Sequence, residues 1–171
     1  VREATPKQLL ENAEINYLKQ ILGLQHDQQY KDVSKLRYGN ILILTDADVD
    51  GSHIKGLILN FIHFFWPSLL NTDFVKAMVT PIIKATKGTT KYSFYTIKEF
   101  DEWKRDAPGG YNIKYYKGLG TSTSNEAKEY FKELKRNTVQ YRKNEDTDKS
   151  ITLAFKKEYA DNRKNWILNG I

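Results

Sequence analysis

The stretch that most restricts the fold is residues 41–56, ILILTDADVDGSHIKG. A continuous apolar run ends in an acidic loop, and after it apolar residues recur at Ile54, Leu57, Ile58, Phe61, Ile62 and Phe65, a helical spacing. A wholly apolar strand feeding a helix through a short loop is half of a βαβ unit, and strands buried on both faces belong to parallel sheets. An α/β fold is therefore expected. With 40% of 171 residues hydrophobic, the chain can build one domain with a real core, or one domain with an appended lobe.

The rest of the sequence arranges itself around that unit. Thr5, Pro6 and Gln8 form a capping-box start, which predicts one helix from about Pro6 to Leu22 with Gly23 as its stop. Residues 25–40 are polar and read as a loop. AMVTPIIKAT (77–86) and YSFYTI (92–97) read as strands joined by the turn KGTTK, with Pro81 making the first an edge or kinked strand. KEFDEWK predicts a short helix and APGG (107–110) a turn. YNIKYY (111–116) should be the next strand, ending in KGLGTSTS. Thr123 with Glu126 makes a second capping box, opening a helix with Ala127, Tyr130, Phe131 and Leu134 on one face. Residues 140–150 read as a solvated connection and LAFKKEYADNRKNWI as a closing helical segment.

Several classes are excluded. With no cysteine there is neither a disulfide framework nor a thiolate metal site, and a reducing compartment is the natural setting. The longest apolar run, 57–70, carries Asn60, His63 and Pro67 and falls short of the roughly 20 clean residues of a membrane span. The start has no signal-peptide pattern. It also lacks an initiator methionine, so a longer parent chain is expected. The net charge of +6 is unevenly spread: residues 1–70 hold 7 Lys/Arg against 8 Asp/Glu, and 71–171 hold 20 against 13. An acidic cluster followed by a basic region suits a polyanion partner, as it suits a solvated basic surface.

Turn chemistry and helix capping account for one or two aspartates in a loop. Three at alternating positions, Asp46, Asp48 and Asp50, repel one another unless a cation stands between them. D-x-D-x-D-G opens an EF-hand calcium loop, but the twelfth position, which needs a bidentate Glu, is Leu57, and strand precedes the loop. A phosphatase of the haloacid-dehalogenase type would want Thr or Val where Asp50 stands. A hard-cation site at the carboxyl end of a buried strand remains, and carboxylate oxygens favour Mg²⁺ completed by waters and phosphate. In YYKGLGTSTS, Gly118 and Gly120 would let the backbone approach an anion, with Lys117 and Ser/Thr hydroxyls as donors. The same residues also suit a plain glycine turn and cap. The spacing is not that of a nucleotide-triphosphate loop.

LTDADVDGSHIKGL, PIIK and YYKGLGTSTSNEAKEYF together closely resemble the eukaryotic type of DNA topoisomerase II, in the Toprim region of its DNA-cleavage core. The likeness runs from VREAT through NAEI to LAFKKEYADNRKNW. The aspartate triplet alone says only Toprim, a fold shared with primases and some nucleases; DGSHIKG with KGLGTS is far more specific. The resemblance implies a Rossmann-like, largely parallel sheet flanked by helices, lacking its first strand unit, with a C-terminal helical segment. It divides the chain into an N-terminally truncated Toprim domain at 1–140 and a connection with helix at 141–171, leading toward a winged-helix domain.

The resemblance also implies Mg²⁺, replaceable by Mn²⁺ or Ca²⁺, on Asp46, Asp48 and Asp50, with Asp46 and Asp48 as the stronger direct ligands. DNA contacts fall on His53, Lys55, Lys117, Gly118, Gly120, Thr121, Ser122, Arg163 and Lys164. His53 suits helix-end packing equally, and His63 reads as a satisfied core residue. For the parent, the resemblance implies a homodimer that passes one DNA duplex through a transient double-strand break at the expense of ATP. Its setting would be the nucleus, or a viral or cytoplasmic origin.

The departures lie in what this sequence lacks. It has no EGDSA-like glutamate motif, no ATPase domain, and none of its 11 tyrosines in a nucleophile context, so no catalytic residue is expected within it and the fragment alone should be inactive. A non-catalytic DNA-binding module and a self-contained Toprim nuclease or primase are the alternatives.

Overall fold

The computed structural model describes residues 1–169, apart from the side chain of residue 119. In helix α1 (Pro6–Glu11), the Thr5 hydroxyl accepts the Gln8 N–H at 3.3 Å and Gln8 Oε1 accepts the Thr5 N–H at 2.9 Å. The single helix expected over 6–22 is two. Asn12 is extended, and its Oδ1 accepts the Ile15 N–H at 2.8 Å to start α2 (Ala13–Leu22). An asparagine side chain that satisfies a helix N-terminus competes with continuing the previous helix. Gly23, at φ 77, ends α2 by donating to the Lys19 carbonyl at 2.8 Å.

β1 (Ile41–Ile43) and α3 (Val49–Phe65) follow in the expected order. The strand expected over 77–86 is divided near Pro81 into β2 (Val75–Met78) and β3 (Ile83–Lys87), which lie in different sheets. Proline has no N–H for a ladder, so a strand cannot run through it in the middle of a sheet. β4 (Thr90–Phe94), α4 (Ile97–Asp106), β5 (Asn112–Tyr115) and α5 (Ser124–Lys132) follow in the expected order, although β4 ends three residues before the expected strand because Thr96 caps α4, and α5 ends before Leu134. β6 (Thr138–Gln140) is an addition, and helix α6 (Thr147–Phe155) begins inside the stretch expected as a solvated connection, so that the closing segment takes in only the end of that helix, followed by α7 (Ala160–Leu168). Residues 170 and 171, the end of the expected 141–171 region, lie outside the described residues.

The strands form two three-stranded sheets, ordered β1-β2-β6 and β4-β3-β5. In the second, β3 pairs antiparallel with both neighbours, Lys87 opposite Thr90 and Ala85 opposite Ile113. A single largely parallel sheet is therefore not what these strands make. The physical reason is the tight β3–β4 connection: with only residues 88 and 89 between paired ends, the chain must return antiparallel, and Gly88 supplies the φ of 58 that this requires.

Contacts divide the chain into two units, residues 1–41, 57–75 and 140–171, and residues 42–56 and 76–139. The first buries Leu22, Phe61, Ile62, Trp66, Leu69 and Phe74. Trp66 donates its indole N–H to the Gln25 carbonyl at 2.7 Å, which satisfies its polar edge inside the core. His63 is buried here and doubly bonded, its Nδ1 2.8 Å from Arg2 Nη2 and its Nε2 2.6 Å from Asp148 Oδ1, so its reading as a satisfied core residue holds. The second unit packs Ile83, Ala85, Phe94 and Phe100, with Trp103, Tyr111 and Ile113 against them. No helix among the described residues is long and apolar enough to cross a membrane.

Candidate metal and nucleic-acid site

The acidic loop leaves β1 and becomes the first turn of α3. Asp48 stands where a helix N-cap belongs: its Oδ1 accepts the Gly51 N–H at 2.7 Å, and its carbonyl accepts the Ser52 N–H at 3.1 Å. Asp50 lies in the first turn of α3, where the helix dipole favours a negative charge. All three aspartates are exposed. Next to Asp46, the Thr45 hydroxyl is the one buried side-chain oxygen or nitrogen among the described residues without a hydrogen-bond partner.

Two glycines confine Asp46. At Gly51 a Cβ would run into the Asp46 carbonyl oxygen and stand 3.1 Å from the Asp46 nitrogen. At Gly118, which is buried, a Cβ would collide with the Asp46 carboxyl group and stand 2.8 Å from the Asp46 Cβ. The two sequence signals, about seventy residues apart, therefore meet side chain to backbone. Gly120 behaves differently. A Cβ there has nothing within 4 Å, so the contact with Asp46 belongs to Gly118 alone, and Gly120 faces open space.

The loop around Gly118 is held by its own hydroxyls. Thr121 Oγ1 donates to the Gly118 carbonyl at 2.7 Å, and the Thr121 N–H reaches the same oxygen at 3.2 Å. Ser122 Oγ is 3.4 Å from the Tyr130 hydroxyl. Lys117 is exposed. Of the other expected DNA contacts, His53 and Lys164 are exposed and Lys55 is half-buried. Arg163 donates through Nη1 to the Leu153 carbonyl at 2.7 Å and the Lys156 carbonyl at 3.3 Å, tying α7 to the end of α6.

Sequence reasoning missed the group behind this loop. Glu126 was legible only as half of a capping box, which it is: its Oε2 accepts the Thr123 N–H at 2.8 Å. Its carboxylate also accepts the Tyr116 hydroxyl in a short hydrogen bond, and lies 3.8 Å from Lys84 Nζ and 3.4 Å from Lys114 Nζ. Burial works against the charged carboxylate, but the Tyr116 hydroxyl, the Thr123 N–H and the two lysines outweigh it and hold Glu126 at about 2. Tyr116 is pushed well above its ordinary value by burial and by its bond to Glu126. Lys84 also sits over the Tyr130 ring at 4.8 Å from its centroid. A signal existed: Lys84 alternates with the core residues Ile83 and Ala85, so it projects from the other face of β3.

Among the described residues, no three His, Cys, Asp or Glu side chains converge as a ready metal-holding group. The donor set that is present consists of exposed carboxylate oxygens, with one Asp48 oxygen already occupied by a backbone N–H. This chemistry fits a hydrated hard cation, which takes one or two carboxylates and keeps its waters, and does not fit zinc.

Residues 78–170 match the family described as the C-terminal associated domain of TOPRIM. The chain is 53% identical to chicken (Gallus gallus) DNA topoisomerase 2-beta and 51% identical to human (Homo sapiens) DNA topoisomerase 2-alpha, in each case over 99% of its own length and 11% of theirs. It is 53% identical to Drosophila melanogaster DNA topoisomerase 2, over 99% of its length and 12% of that protein. Among solved structures, the Plasmodium falciparum topoisomerase II DNA-binding, cleavage and re-ligation domain superposes with a TM-score of 0.94 at 47% identity, covering 99% of this chain and 24% of that one. The chain thus spans about a ninth of the length of the curated relatives it matches.

Proposed function

Because this chain belongs to the TOPRIM C-terminal-domain family, in the form carried by eukaryotic type II DNA topoisomerases, we propose that it supplies the acidic half of a divalent-cation site and part of the DNA-facing surface of such an enzyme. The observation that carries the reading is the seating of Gly118 against the Asp46 carboxyl group, which unites the acidic loop with the KGLGTS loop.

Asp46 and Asp48 hold the cation, Mg²⁺ by preference with Mn²⁺ or Ca²⁺ in its place, and Asp50 adds negative charge at the helix start. A bound cation of this kind orients and charge-stabilises phosphate oxygens during strand cleavage and rejoining. Lys117 and the backbone at Gly118 and Gly120 face the DNA, with Thr121 and Ser122 shaping that loop. His53 and Lys55, early in α3, lie within a few residues of the acidic loop, and Arg163 and Lys164 contribute backbone contacts that position rather than read the duplex. Residues 1–140 serve as the Toprim portion, with β1-β2-β6 as its Rossmann-like sheet, and 141–171 as the connection toward the domain bearing the nucleophilic tyrosine.

The parent enzyme acts on double-stranded DNA as a homodimer in the nucleus, driven by ATP bound elsewhere. The chain by itself neither relaxes nor nicks supercoiled plasmid, since it contains no EGDSA-like glutamate and no tyrosine in a nucleophile context. Calorimetric titration with Mg²⁺ and Mn²⁺ tests the proposal. Binding that is lost in Asp46→Ala and weakened in Asp48→Ala supports it; binding unchanged in both variants overturns it in favour of a DNA-binding module with structural carboxylates.

A further inference from the structure

The loop from residue 117 to 123 needs something to hold it in place, because its backbone must bring Gly118 onto the Asp46 carboxyl group. Its start and its end converge on one side chain. At the start, buried Tyr116 donates its hydroxyl to the Glu126 carboxylate; at the end, the Thr123 N–H donates to Glu126 Oε2 at 2.8 Å, with Thr123 Oγ1 at 3.2 Å from the same oxygen. Lys84 from β3 and Lys114 from β5 approach the carboxylate from the sheet at 3.8 and 3.4 Å. The Glu126 side chain is 18% exposed and that of Lys84 12%, so this pair meets little competition from water, while the Lys114 side chain is 46% exposed.

We infer that Glu126 is a positioning residue: it clamps both ends of the 117–123 loop to the β3–β5 sheet and so fixes Gly118 against Asp46. Capping alone would need only the Thr123 bonds. The Tyr116 hydroxyl and the two lysines add nothing to the helix N-terminus, yet they tie the carboxylate to the strand that enters the loop and to the strand beside it. The residue thus holds the two ends of the loop, through Tyr116 and Thr123, and acts through Gly118.

The inference about the loop stands on these contacts alone; its consequence for cation binding rests on the proposed role of Asp46. Hydrogen exchange measured on the full chain separates the two. In Glu126→Ala, the amides of Gly118, Gly120, Thr121 and Ser122 should exchange at least tenfold faster, while those of the β3–β4 hairpin stay within twofold. Glu126→Gln, which keeps an oxygen to accept from Tyr116 and Thr123, should restore protection to within about threefold, a rescue that loss of general stability would not show. Tyr116→Phe removes one hydroxyl from an otherwise unchanged ring and should loosen the same amides, while those of the β3–β4 hairpin stay within twofold.

Mn²⁺ affinity, followed by electron spin resonance, should fall severalfold in Glu126→Ala and Tyr116→Phe, and recover in Glu126→Gln. Loop exchange unchanged in Glu126→Ala and Tyr116→Phe overturns the inference. Should the loop loosen while Mn²⁺ binds equally in the parent chain and in Asp46→Ala, the clamp stands and the cation assignment of Asp46 fails.

Discussion

The Gly118 backbone lies where any side chain would collide with the carboxyl group of Asp46. Two segments that share no sequence neighbourhood are thereby fitted to each other at atomic contact, and what each does to the other can be measured.

Gly118→Ala should move either the loop or the Asp46 side chain, at an overpacking cost of about 1–3 kcal/mol. Gly120→Ala, with open space around it, should stay within about 0.5 kcal/mol of the unsubstituted chain. Urea denaturation of the two variants side by side checks the contrast.

The Glu126 carboxylate is held at about 2, against about 4.3 in an unfolded chain. A folded value below the unfolded one means that its contribution is complete above about pH 4.3 and is lost as pH falls toward about 2. Glu126→Gln should therefore be less stable than the original at neutral pH, with the gap closing on acidification through that window. Denaturation curves collected from pH 7 down to pH 3 would show it.

Arginine has no acceptor, so the 2.8 Å contact of Arg2 Nη2 with His63 requires Nδ1 to accept, and leaves Nε2–H to donate to Asp148. Nitrogen-15 spectra of neutral His63 should show the Nε2-protonated tautomer. Arg2 Nε also donates to buried Asn60 at 2.6 Å, so Arg2→Ala strips two buried acceptors of a partner and should cost about 1–3 kcal/mol in thermal or chemical unfolding.

If Lys117 faces the phosphate backbone, Lys117→Ala should weaken DNA binding to a similar degree on unrelated sequences and reduce the salt dependence, log K against log salt, by about one. Fluorescence anisotropy across a salt series gives both numbers. A loss confined to one sequence would point to base reading instead.

Local chemistry was the legible part of this chain. The helix after the acidic loop, both capping boxes and the Gly23 stop follow from side-chain types within a few residues of one another, whereas the seating of Gly118 on Asp46 arises only through the fold. The break at Asn12 was missed because a helical stripe continues across it, while the asparagine side chain chooses the next helix start over the current helix. Two sheets were missed because the apolar run 77–86 looks continuous, although Pro81 cannot bond within a ladder. Glu126 was read as a cap because its cap partner is three residues away, whereas Lys84, Lys114 and Tyr116 reach it only through the fold.

The central claim is that a divalent cation held at Asp46 and Asp48 sits beside the Gly118 loop. Paramagnetic broadening by Mn²⁺ at substoichiometric levels tests it most directly. The account predicts that the amide signals of Asp46, Asp48, Gly118 and Gly120 broaden together and that Asp46→Ala abolishes the effect at all four. Broadening that spares Gly118 and Gly120, or that survives in Asp46→Ala, would contradict it.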